Sequence, residues 1–167
     1  MTNNQPLILL INPFIYDFAA FDFWNKPLGL LYIADALINA GYRVKLIDCL
    51  NRSVYINDKK IKTYKNNSGK YKKIVVDTPP VLKFMRRSFY RYGIDLVDFE
   101  KQLYLIKAEE EPAVICITCI MSYWYYGAQK TIEIVRKYFP DTPIIFGGIY
   151  ATLWQEHSKK NIDADYF

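Results

Sequence analysis

Glycine is scarce and histidine almost absent, at 7 and 1 in 167 residues. The few glycines form no GxGxxG after the first apolar run and no GxxxxGK[ST] anywhere. A dinucleotide site of the usual kind and a P-loop are therefore both excluded. His157 has no partner at metal-ligand spacing, and paired carboxylates or a Ser/His/Asp set are missing too. A structural or surface role is expected for that histidine. No apolar run approaches a membrane span: the longest, residues 113–121, is interrupted by Thr118. The opening MTNNQPLILLINP lacks a basic region and a small-residue cleavage site, so a secretory signal is not expected. Three cysteines, an odd number in a chain read as non-secreted, suggest reduced thiols in a cytoplasm.

What is present is apolar and aromatic. Hydrophobic residues make up 51% and aromatics 17%, which rules out a disordered chain. The length suits one domain with a sizeable core. Residues 113–118 (AVICIT) form a β-branched run of the kind buried on both faces of a sheet. Ser122 is placed to cap a following helix, in which Trp124, Ala128, Ile132, Val135 and Phe139 recur at helical spacing. Pro140 and Pro143 stop that helix, residues 144–146 give the next strand, and Gly147-Gly148 leave it without side chains.

The same pattern opens the chain. LILLIN (7–12) reads as a strand ended by Pro13, and residues 14–25 read as a loop with six aromatics in twelve residues. That loop is either folded back on the core or forms an apolar wall beside a ligand or domain. Asn25 is placed to cap the next helix with Pro27 in its first turn. Leu30, Ile33, Ala34, Leu37 and Ile38 form that helix's expected buried stripe, and Gly41 ends it. RVKLID (43–48) alternates as an edge strand does. Residues 94–108 give another helix with Leu96, Phe99, Leu103 and Ile106 on one face, and 150–160 a further one. DADYF (163–167) reads as the start of a fifth strand, so the chain is expected to be the N-terminal piece of a longer protein. The fold class is α/β: a doubly wound, flavodoxin-like (Rossmann-like) parallel sheet of order 2-1-3-4-(5).

Residues 51–92 do not fit this rhythm and are read as an insertion after the second strand. Seven lysines stand against one aspartate between Asp58 and Lys73. Asn66-Asn67-Ser68-Gly69 signals a turn, with a β-hairpin expected around it. Arg86, Arg87 and Arg91 then interleave with Phe89, Tyr90 and Tyr92. Such a mixture can meet the phosphates and bases of a single strand, or the anionic groups of a ligand. A solvated insertion, or one packed on a partner domain, is the expectation preferred here; nucleic acid is not expected.

In such a sheet Asn12-Pro13, residues 118–122 and residues 147–150 emerge at one carboxyl edge, where ligands bind. Thr118 and Ser122 offer hydroxyls, Gly147 and Gly148 approachable backbone, and Tyr123, Trp124, Tyr125, Tyr126 and Tyr150 aromatic surface. This suits a large flat ligand with a polar tail. Cys116 and Cys119 spell CxxC, but i and i+3 of a strand point to opposite faces, so neither redox nor zinc chemistry is expected of them. Cys49 is expected to be a small buried residue.

These residues resemble the N-terminal cobalamin-binding domain of cobalamin-dependent radical SAM proteins, often called Fe-S oxidoreductases. INPF and KPLGLLYIADALINAGYRVKLID are similar to that domain's first strand, helix start and second strand. ITCIMSYWYYG and PIIFGGIYATLWQEH are similar to its later half, and DADYF to the fifth-strand approach before the radical SAM barrel. The likeness covers most of residues 7–48 and 93–167. Of the wider fold's DxHxxG, SxL and GG motifs, Thr118-Cys119-Ile120 stands at SxL, and 26 residues separate Ile120 from Gly147-Gly148. DxHxxG is missing: NPFIYDF follows the first strand, so that loop supplies no histidine to cobalt.

The resemblance implies one cobalamin-binding-like domain over 1–167 with the insertion at about 51–92. It also implies that the cofactor is cradled by Asn12, Pro13, Thr118, Cys119, Ile120, Met121, Ser122, Gly147, Gly148, Ile149 and Tyr150. The parent protein would be a radical SAM enzyme, a methyltransferase or related. A radical SAM barrel in cis would carry the 4Fe-4S cluster and S-adenosylmethionine. With cysteines only at 49, 116 and 119, the cluster's CxxxCxxC is not in this chain, and no catalytic residue or metal ligand is expected in it. Two alternatives are a cofactor-free interaction or substrate-recognition domain of the same fold, and a flavodoxin-like domain for flavin or nucleotide.

Overall fold

The computed structural model describes residues 5–23, 26–55, 61–66 and 68–167. Strand β1 (Leu7–Asn12) is buried at every position, as the centre of a parallel sheet requires. After Pro13 the chain extends again as β2 (Ile15–Asp17) and β3 (Phe21–Asp22). Helix α1 (Leu28–Asn39) begins after Pro27, whose carbonyl accepts the Leu31 N–H. Gly41, at φ 90°, turns the chain into β4 (Arg43–Asp48). The insertion contributes β5 (Gly69–Lys70), β6 (Lys73–Val76) and β7 (Phe89–Tyr92). There follow α2 (Leu96–Glu109), β8 (Val114–Thr118), α3 (Tyr125–Tyr138), β9 (Ile144–Gly147), α4 (Ile149–Leu153) and α5 (Gln155–Asn161).

The central sheet runs β4-β1-β8-β9, and each neighbouring pair is parallel. Tyr166 makes a single parallel bridge to Ile145 at the far edge. The expected order 2-1-3-4 is observed, in a helix-flanked Rossmann-like fold.

Strand alternation divides the core. Leu9, Ile11, Ile115 and Ile117 meet Phe99 and Leu103 of α2 and Ile132 and Val135 of α3 in the larger cluster. Burial of each such side chain contributes about 1.5–3 kcal/mol. Ile8 and Leu10 point the other way, to Leu30 of α1. Cys116 joins that second cluster while Cys119 lies in the first, so the CxxC pair faces opposite sides as expected.

Four local expectations change. The stripe on α1 is narrower than its sequence suggests: Leu30 is buried and Ala34 and Leu37 pack partly against its cluster, but Ile33 and Ile38 are exposed. Ser122 makes no capping bond, because a single 3-10 turn (Ser122–Trp124) intervenes and α3 starts at Tyr125. The helix expected over 150–160 breaks at Trp154, whose backbone stands at φ −126° and ψ 50°. The aromatic loop is partly strand, with Phe14, Ile15 and Tyr16 in the core and Phe23 exposed. Asn25, the expected cap of α1, lies outside the described residues.

The insertion folds back onto that aromatic segment. Strands β2, β7 and β6 form an antiparallel sheet, and β3 pairs with β5. The hairpin expected near Asn-Ser-Gly is present: Tyr64 N–H donates to Ser68 O and Lys70 N–H to Lys62 O, each at 2.9 Å. Its Lys59, Lys60 and Asn67 lie outside the described residues. Buried Asp22 and Arg52 lock the hairpin through a 3.1 Å ion pair. Gly127 seats α3 on the segment after β1, since a Cβ there would stand 2.0 Å from the Phe14 carbonyl oxygen.

Candidate functional site

The carboxyl ends of β1, β4, β8 and β9 meet as expected. Asn12 and Asp48 end neighbouring strands in register, and the Asn12 amide donates to the Asp48 carboxylate at 2.7 Å. That carboxylate also accepts the Leu50 N–H at 3.0 Å, while Cys49 N–H donates to Asn12 O. Asn12 is thus a tie between two strand ends, and it is only 5% exposed. On the other side Cys119 N–H donates to Gly147 O at 3.0 Å, and Tyr150 N–H to Cys119 O at 3.1 Å.

The two glycines differ. Gly148 has φ 99°, and a Cβ there would stand 2.6 Å from Thr118 Oγ1 and 2.7 Å from Cys119 O. Only glycine fits that turn. Gly147 has nothing within 4 Å of the place a Cβ would take, so its side of the strand end is open.

Two depressions flank this tie. A recess of about 20 Å³, room for one water, is lined by Asn12, Pro13, Phe14, Ile15, Lys26, Leu50, Thr118, Cys119, Ile120 and Trp124. Trp124 closes it, held by an Nε1–H bond to Asp17 at 3.0 Å. A wider cleft of about 250 Å³ lies beside it, lined by Ser122, Tyr123, Tyr125, Tyr150, Trp154 and His157. Tyr150 is 1% exposed, and its hydroxyl lies 2.6 Å from His157 Nδ1. Burial, with Cys119 and Tyr125 adding to it, raises the phenol to about 12. His157 also packs edge-on against Tyr125.

Of the eleven residues that the resemblance assigns to the cofactor, five line the recess and Ser122 and Tyr150 line the cleft. Met121, Gly147, Gly148 and Ile149 line neither; Met121 and Ile149 are exposed between and beside them. Lys26 and Leu50 were not singled out, although each stands just outside a core element at this edge. Burial pushes the Cys119 thiol up to about 12, and its Sγ lies 3.3 Å from Met121 O, which suits a packed thiol and not a nucleophile. Cys49 is fully buried and its thiol is likewise pushed up by burial. All three cysteines are free. Among the described residues there is no cluster of three metal-ligating side chains and no helix long and apolar enough to cross a membrane.

No family model matches the sequence, and no curated protein matches it. Among solved structures the chain is similar to the radical S-adenosylmethionine methyltransferase TsrM from Kitasatospora setae, with tryptophan substrate and the SAM analogue aza-SAM bound. The TM-score is 0.50 at 17% identity, over 89% of this chain and 20% of that one. A second TsrM structure, with cobalamin and a 4Fe-4S cluster bound, gives 0.48 at 17% identity over 89% and 19%. The chain spans about a fifth of the length of these proteins. At this identity the likeness is one of fold.

Proposed function

We propose that this chain is a cytoplasmic cobalamin-binding module of a radical SAM enzyme, with a radical SAM barrel in cis that carries the iron–sulfur cluster and S-adenosylmethionine. The asymmetry of the glycine pair carries the reading. Gly148 is used up by the fold, whereas Gly147 leaves open backbone at the carboxyl edge, where doubly wound sheets take ligands. The motif TCI with GG one crossover helix later supports the same ligand, and a radical SAM methyltransferase shares the fold.

The residues fit a large flat cofactor by surface and backbone. Exposed Met121, Tyr123, Ile149 and Trp154 offer apolar area beside the strand ends. The 250 Å³ aromatic cleft accommodates a single flat ring of a nucleotide tail. Asn12, Pro13, Thr118, Cys119, Ile120 and Ser122 would line the near side, and Gly147, Gly148, Ile149 and Tyr150 the far side. Bound cobalamin would supply a cobalt centre that takes up and passes on a methyl group. The protein's part is to hold it, exclude water with Trp124 and Tyr150, and keep Asn12 and Asp48 fixed to each other beneath it. Titration of the purified chain with hydroxocobalamin tests this. A shifted visible spectrum and co-elution in gel filtration are expected; unchanged spectra from folded protein overturn it.

The cofactor-free interaction domain is the second reading, and one observation favours it. Trp124 narrows the recess to about 20 Å³ and Tyr150 fills the space under α4. It predicts an intact fold, no uptake, and no gain of uptake in Trp124→Ala.

A further inference from the structure

We infer that the insertion carries a second ligand site, a cleft between β6, β7 and the β3–β5 pair that takes a planar ring bearing a phosphate or carboxylate. The cleft measures about 410 Å³, within the range of small-molecule sites. It shares no lining residue with the recess at the sheet edge, from which Ile15, Leu50, Tyr71 and Tyr92 separate it. The inference is thus independent of cobalamin binding.

Sequence and pairing build the cleft. Lys73 and Tyr92 are opposite each other across β6 and β7, so both side chains stand on one face of that small sheet. Tyr71 and Tyr92 are each 3% exposed and form the floor. Phe18 and Phe21 form walls, and Ala19 and Ala20 leave room between them. Stacking surface is thereby presented to a flat ring from more than one side.

Cations complete the rim. Lys70 and Lys73 line the cleft, Lys73 Nζ lies 3.7 Å over the Tyr90 ring, and Arg87 lies 5.9 Å from the Phe18 ring. None of the three takes part in an ion pair among the described residues. The nearby carboxylates are engaged elsewhere: Asp17 with Trp124 and the Phe18 N–H, Asp22 with Arg52. The insertion, residues 51–92, holds 12 of the chain's 22 basic residues and 2 of its 17 acidic ones. A local excess of positive charge over an aromatic floor selects an anionic ring compound over a neutral one.

Adenosine 5′-monophosphate, indole-3-carboxylate and adenosine are the probes, titrated into the 167-residue chain by calorimetry at low salt. One of the two anions should bind at least about tenfold more tightly than adenosine, and Lys70→Ala/Lys73→Ala should weaken it by about tenfold or more. The tighter anion identifies the source, phosphate or carboxylate. Both lysines are exposed, so circular dichroism should be unchanged in the variant. Lys62→Ala/Lys65→Ala, on the neighbouring basic surface, should leave affinity within twofold. Equal affinity for adenosine and both anions overturns the inference. So does an equal loss in the two double variants, or an oligothymidylate that binds far more tightly than either anion and responds to both variants, since each marks a diffuse basic surface.

Discussion

At the carboxyl edge of the parallel sheet the polar side chains hold one another, whereas around the insertion's cleft the cations do not. Asn12 is tied to Asp48, Trp124 to Asp17, and Tyr150 to His157. Lys70, Lys73 and Arg87 have no carboxylate of their own among the described residues. The edge therefore offers shape and backbone, which suits a large ligand bound by area. The insertion offers charge, which suits a small anion. One chain thus presents two chemically different surfaces, and the edge is the one built to be rigid.

The rigidity can be broken residue by residue. Gly148→Ala should be the most damaging, by about 4 kcal/mol, because positive φ and overlap with Thr118 and Cys119 act together. A denaturant melt reads it, and a loss under about 1 kcal/mol would show that the edge is soft. Asp22→Asn should cost about 3 kcal/mol by removing the Asp22 carboxylate from its ion pair with the buried Arg52 guanidinium. That loss should fall on the insertion, and hydrogen exchange in β3 and β5 should rise while β1 and β8 stay protected. Trp124→Phe removes the bond to Asp17 and should cost about 1 kcal/mol, with the recess enlarged.

The smallest effect is at the sheet's far edge. The Ile144 N–H first, then Arg136, hold the Asp165 carboxyl below its ordinary value of 3.8. A depressed carboxylate stabilises the fold above its unfolded value, and that contribution is lost as pH falls through the folded one. Wild type should therefore exceed Asp165→Asn in thermal stability at neutral pH, and the difference should fade on acidification below 3.8. A difference that grows with acid would contradict the assignment.

Much of the fold was legible in the sequence. Residues 7–12 and 113–118 are apolar on both faces because parallel central strands have no wet side, so the strands and crossover helices followed from periodicity, and the strand order from the rule for doubly wound sheets. Helix starts were less legible. Ser122 reads as a cap, yet Asp17, 107 positions away, bonds Trp124 and a 3-10 turn forms instead. Capping rules see only neighbours along the chain. The same limit hid the division of labour within Gly147-Gly148, since dihedrals and the nearness of Thr118 leave no mark in two identical letters. The insertion's hairpin was visible from its turn residues. Its pairing with the aromatic segment after β1 was not, because short antiparallel strands carry little periodic signal.

The glycine pair gives the most direct test of the central claim. Gly147→Val places a side chain in space that is open in the structure and at the proposed site, so its melting curve should match wild type. Titrated with hydroxocobalamin side by side, wild type should show a shifted visible spectrum and retain the cofactor through gel filtration, and folded Gly147→Val should do neither. Equal uptake by both proteins, or none by wild type, would contradict the account.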